Sequence, residues 1–117
     1  MLFSDTSDYL VGIGIADVTG PAAEVTMMGY AEIDGQKTSG IHTSLFSRSF
    51  IFKANISDAL VFVSVDILGM GHAIKKEVIK RLARSIGPGV YRDDNVILSA
   101  THTHSGPGGY HLILFQI

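Results

Sequence analysis

Ala59-Leu-Val-Phe-Val-Ser-Val-Asp-Ile-Leu68, read with the segment Ile74–Ile86 and with Asn95-Val-Ile-Leu-Ser99, decides the fold. The first run is rich in β-branched residues and almost continuously apolar, the composition of a strand covered on both faces. In the segment after it, Ile74, Val78, Leu82 and Ile86 recur at i, i+4, i+8 and i+12, the spacing of one helix face. Lys75, Lys76, Lys80, Arg81 and Arg84 take the other faces, and Gly87 stands where a C-terminal cap belongs. Basic residues so arranged read as a solvated helix face rather than a lipid or nucleic-acid surface. Beyond Gly89 comes the second apolar run, Asn95–Ser99. Strand, helix and strand of these lengths predict a right-handed βαβ unit with parallel strands. The expected fold is therefore α/β, with a largely parallel mixed sheet.

Two further strands precede this unit. Tyr9-Leu-Val-Gly-Ile-Gly-Ile-Ala16 is a short β-rich run ended by Asp17-Val-Thr-Gly-Pro21. From Phe46 to Lys53 the residues alternate, with Phe46, Arg48 and Phe50 on one face and Ser47, Ser49 and Ile51 on the other. Between Pro21 and Thr43 no period is sustained, which predicts a long loop. Its two methionines, Tyr30 and His42 suit either a substrate-facing loop or a surface loop held by apolar anchors.

A parallel pair directs attention to its carboxyl end, where ligands of open α/β sheets bind. There the chain reads Ser99-Ala-Thr-His-Thr-His-Ser-Gly-Pro-Gly-Gly109. If the strand stayed extended, His102 and His104 would leave on one side, roughly 6.5 to 7 Å apart, close enough to converge on one ion. Thr101, Thr103 and Ser105 add hydroxyls that can orient the rings or bind a polar group. The spacing alone describes two polar loop histidines equally well. Asp66, near the end of the preceding strand, is expected at the same sheet edge. It is either a carboxylate orienting a histidine ring or a turn aspartate.

Composition narrows the function. A chain of 117 residues makes one domain. Apolar residues make up 46% and charged ones 17%, with mean hydropathy +0.31, so the chain is apolar for a small domain and resembles the interior of something larger. The final run His111-Leu-Ile-Leu-Phe-Gln-Ile117 has no polar ending, which leads us to expect a fragment. A net charge of -2 with scattered basic residues argues against a nucleic-acid partner. The absence of cysteine removes disulfides, thiolate nucleophiles and cysteine-based zinc sites. Met1-Leu-Phe-Ser-Asp5 does not open like a signal peptide, and no stretch approaches the roughly 18 apolar residues of a membrane span. Asn55-Ile-Ser57 is a glycosylation sequon of little weight by itself.

Several familiar motifs fail. Asp17 stands where the third glycine of G-x-G-x-x-G belongs, after Gly12 and Gly14. Ser105-Gly-Pro-Gly108 is not the G-x-S-x-G of a nucleophile elbow. Gly106 and Pro107 occupy positions that an H-x-H-x-D-H zinc motif would give to Asp and His, and H-E-x-x-H is absent.

Taken in order, however, Gly12-Ile-Gly-Ile-Ala-Asp-Val-Thr-Gly-Pro21, Met28-Gly-Tyr30, Gly40-Ile41, Leu45-Phe-Ser-Arg-Ser-Phe50, Val61-Phe-Val-Ser-Val-Asp66, Arg92-Asp-Asp-Asn-Val-Ile-Leu-Ser99 and Thr101-His-Thr-His-Ser-Gly-Pro-Gly-Gly109 resemble the N-terminal part of the neutral ceramidases. The resemblance covers nearly the whole chain. Ser44 departs from a basic residue common in the family, and Asp66-Ile-Leu-Gly-Met70 reads like Asp-Ile-Gly-Met with an insertion.

The resemblance implies a zinc-dependent amidohydrolase that cleaves the N-acyl bond of ceramide to sphingosine and a fatty acid at a membrane surface. It implies that His102 is a zinc ligand, that His104 lines the same site as a catalytic residue, and that residues 1–117 are an N-terminal fragment of the catalytic domain. The remaining ligands, a histidine, a glutamate and a tyrosine, would then lie downstream, and the isolated chain would be inactive. An extracellular, cell-surface or secretory-lumen location is also implied. The competing expectation is a non-enzymatic, metal- or partner-binding module derived from a ceramidase, pairing through an exposed sheet edge.

Overall fold

The computed structural model describes residues 9–29, 35–54 and 59–110. Tyr30, the sequon at Asn55 and the apolar run 111–117 lie outside the described residues. Four strands and one helix follow in the order β1 (Tyr9–Asp17), β2 (Phe46–Ala54), β3 (Leu60–Val65), α1 (His72–Ser85) and β4 (Val96–Ala100). The strands form one sheet in the spatial order β1-β2-β3-β4.

The α/β class and the β3-α1-β4 unit are as the sequence predicts. Val61 pairs with Val96 and Val65 with Ala100 in a parallel ladder. The expected predominance of parallel pairing requires correction, because β1 with β2 and β2 with β3 are both antiparallel. Five residues join Ala54 to Leu60, too few for the crossover of a dozen or more residues that a parallel pair needs. The longer β1-β2 connection contains no helix among the described residues, and so no crossover element either.

Pleating assigns the side chains. On one face Ile51 lies across from Val61, Ser49 from Val63 and Ser47 from Val65. The apolar stripe Ile74, Val78 and Leu82 of α1 faces this side across a space of about 440 Å³. Val96, at the base of β4, is 1% exposed and is the one fully buried side chain among the described residues. Behind it the buried Asn95 side chain accepts a hydrogen bond from the Arg92 N–H at 2.6 Å and donates to the Val90 carbonyl at 3.0 Å, closing the turn into β4. The helix ends as its sequence suggests. Gly87, at φ +128, donates to the Ala83 carbonyl at 3.2 Å, a backbone conformation that a side chain would oppose. Its basic face is solvated, with Arg81 reaching back to Glu77 at 3.0 Å.

The other sheet face has no cover among the described residues. Ile13, paired with Phe50, is 82% exposed, and Phe52, Leu60 and Ile97 are between 41% and 46% exposed. The Phe50 and Phe62 rings lie side by side on this face, centroids 6.4 Å apart and inclined by 30°. A contiguous apolar surface of this kind marks an interaction face.

The two faces of β4 should therefore respond differently to truncation. In residues 1–117, Val96→Ala lowers unfolding free energy by about 2 kcal/mol, whereas Ile97→Ala changes it by under about 0.5 kcal/mol. Denaturant titration checks the ranking, and equal losses would contradict the one-sided packing.

Candidate active site at the carboxyl edge of β3 and β4

Parallel pairing brings the ends of β3 and β4 side by side, and the ladder continues beyond them. The Thr101 N–H donates to the Val65 carbonyl at 2.9 Å, and the His102 N–H to the Ile67 carbonyl at 3.0 Å. His102 thus leaves the sheet beside the residues that follow Asp66. Its φ of +64 places it in the left-handed region, which is uncommon outside glycine and clusters at functional sites.

That turn changes how the histidines meet. The extended geometry expected from the sequence ends at Ala100, and the kink at His102 folds the chain so that the His102 and His104 ring centroids lie 5.2 Å apart, inclined by 59°. The two rings thus meet across a kinked loop rather than along an extended strand. His102 is exposed and His104 half-buried. Among the described residues no group of three or more His, Cys, Asp or Glu side chains is placed to hold a metal. Two imidazole nitrogens are the donors zinc prefers, but they supply only part of the three-ligand set of a catalytic zinc.

Asp66 sits at the same edge, as expected, with its carboxylate turned to the sheet. Its Oδ2 accepts from the Phe46 N–H at 2.9 Å and from Arg48 Nη1 at 3.0 Å. The Phe46 N–H is the main reason that its carboxyl titrates below the ordinary range; burial opposes the shift, and Arg48 and Thr101 add to it. The Asp66 carboxylate is thus engaged with the start of β2. Arg48 is 41% exposed, so solvent screening limits the ion pair to under about 1 kcal/mol.

The long loop contributes a wall that periodicity did not reveal. Residues 24–27 pair with 36–38 through the Glu24 N–H to the Thr38 carbonyl at 2.9 Å and the Met27 N–H to the Gln36 carbonyl at 3.0 Å. The same segment binds the histidine loop: Met28 N–H donates to Gly106 O at 3.2 Å, and Gly108 N–H to Thr26 O at 2.8 Å. Tyr110 Oη accepts the Leu68 N–H at 3.0 Å, closing the other side. His42 and Ser105 line a cavity of about 310 Å³ between the two loops. The sequence signals for this wall were glycines and methionines without a period, which identify a loop but not its neighbour.

Comparison with known proteins agrees with the sequence resemblance. The family model for the neutral/alkaline non-lysosomal ceramidase N-terminal region matches residues 9–117. The chain is 47% identical over 105 residues to a neutral ceramidase of Drosophila melanogaster and 48% identical over 107 residues to neutral ceramidase A of Dictyostelium discoideum. These alignments cover 90% and 92% of this chain but 15% of either relative. The solved structure of neutral ceramidase from Pseudomonas aeruginosa superposes with a TM-score of 0.82 at 47% identity, over 88% of this chain and 16% of that one. The chain belongs to the neutral/alkaline ceramidase family and spans about one-sixth of the length of the relatives it matches.

The carboxylate at the sheet edge has a pH signature. With its folded-state titration lowered, Asp66 contributes its full stabilisation above about pH 4 and loses it as pH falls through the lowered value. The melting-temperature gap between the unsubstituted chain and Asp66→Asn is therefore expected to be open at pH 7 and to close as pH falls below about 4 through the lowered value. A gap independent of pH would contradict the role of the ionised carboxylate.

Proposed function

We propose, from that family membership, that the chain carries the first part of the active site of a zinc-dependent amidohydrolase that splits ceramide into sphingosine and a fatty acid. The observation that carries this reading is the convergence of the His102 and His104 rings at the carboxyl edge of a parallel strand pair. His102, exposed and fixed through its N–H on Ile67, is the zinc ligand. His104, half-buried beside it, is the catalytic residue that contacts the substrate and moves a proton. A bound zinc supplies a water of lowered pKa and polarises the amide carbonyl.

In the overall reaction the amide C–N bond breaks, the acyl carbon gains a hydroxyl and the amine leaves with a proton. In this reading His104 holds that proton and hands it to the leaving nitrogen. The family resemblance implies that the remaining zinc ligands lie downstream, and the described residues hold no group of three metal-binding side chains, so these two imidazoles alone do not complete a catalytic site. The bare face bearing Ile13, Phe52 and Ile97 fits the same reading, being covered in the complete catalytic domain by the part of the protein that residues 1–117 lack. Ceramide is a membrane lipid, so the complete enzyme works at a bilayer surface; the family resemblance adds a location outside the cell, on its surface or in the secretory lumen. No helix among the described residues is long and apolar enough to cross a membrane.

Two measurements test the proposal. Purified residues 1–117 are expected to give no turnover of a fluorescent ceramide, and measurable turnover would refute the incomplete-site reading. In the full-length protein, His102→Ala is expected to reduce zinc from about one per chain toward zero. Unchanged zinc would remove His102 from the ligand set.

A further inference from the structure

The wall behind His104 ends in a glycine with no room for a side chain. A Cβ placed on Gly29 would lie 2.7 Å from His104 Nδ1, 2.8 Å from Cε1 and 2.9 Å from Cγ. These are three consecutive ring atoms centred on Nδ1, and all are inside van der Waals contact distance. Gly29 is also at φ +105, a conformation that side chains oppose. It cannot retreat easily, because the preceding residues are tied on two sides. Met27 N–H binds Gln36, while Met28 N–H binds Gly106 within the histidine loop. Met28 itself is buried, at 7% exposure.

We propose that Gly29 is a positioning residue for His104: its bare main chain seats the Nδ1 side of the imidazole and holds the ring in its pose beside His102. The wall and the ring belong to segments about 75 residues apart that are joined by backbone hydrogen bonds, so the pose is set before substrate arrives. The proposal rests on the ceramidase reading for its turnover measurement alone.

The test is Gly29→Ala in the full-length protein, followed by zinc content, turnover of a fluorescent ceramide and a crystal structure. The expected result is unchanged zinc, a kcat lowered by about 100-fold and a displaced His104 ring, since misplacing a catalytic group by about 1 Å costs a factor of that order. Gly109→Ala is the control for backbone strain, because Gly109 has φ +88 and nothing within 4 Å of its Cβ position. It should keep kcat within about twofold. If Gly29→Ala fails to fold, adding His104→Ala should recover folded protein by removing the ring from the new methyl group. An unmoved ring, an equal loss in Gly109→Ala, or failure of the double variant to recover would each overturn the proposal. Absence of turnover in the unsubstituted protein would sink the ceramidase reading, while ring displacement would still decide the role of Gly29.

Discussion

The parallel ladder between β3 and β4 is the constraint on which the site depends. It fixes Val65 beside Ala100, and two further hydrogen bonds carry the pairing beyond the strands, from Thr101 to Val65 and from His102 to Ile67. The second of these holds the His102 backbone where its φ turns positive. A rigid sheet thus delivers a kinked loop, and the kink brings two imidazoles together. Helix α1 supports this from below by supplying the crossover and an apolar stripe opposite Val61, Val63 and Val65.

Around this edge the chain spends its polar groups on placement. Asp66 ties the end of β3 to the start of β2 through Phe46 and Arg48, and the Thr101 N–H ties the histidine loop to the Val65 carbonyl. The loop before β2 returns to the site as a short ladder that binds the Gly106–Gly108 backbone. Each connection is individually modest, but together they join β2, β3, β4 and the long loop around one sheet edge. The opposite sheet face, bearing Ile13 and Phe52, is apolar and has no cover among the described residues.

Much of this was legible in the sequence because it is periodic. The i, i+4 stripe of α1, the apolar runs of β3 and β4 and the alternation of β2 each record local geometry directly. So does Gly87, which marks the helix end. The sheet's balance was not legible, since a strand's residues record which faces are covered more clearly than the direction of its neighbours. The histidine pair was visible, but the route to its convergence was not: an extended continuation and a left-handed kink put similar residues in similar order. Gly29 shows the limit best. Its role arises from a ring 75 positions away, and local sequence carries no mark of that contact beyond the glycine itself.

The central claim is that the His102 ring, delivered by the β3-β4 edge, is a ligand of the catalytic metal. Anomalous diffraction at the zinc edge from crystals of the full-length protein tests it most directly. The account predicts a zinc peak about 2.0 to 2.1 Å from a His102 ring nitrogen, at the carboxyl edge of β3 and β4. A fully coordinated zinc elsewhere, with His102 outside its ligand set, would contradict it.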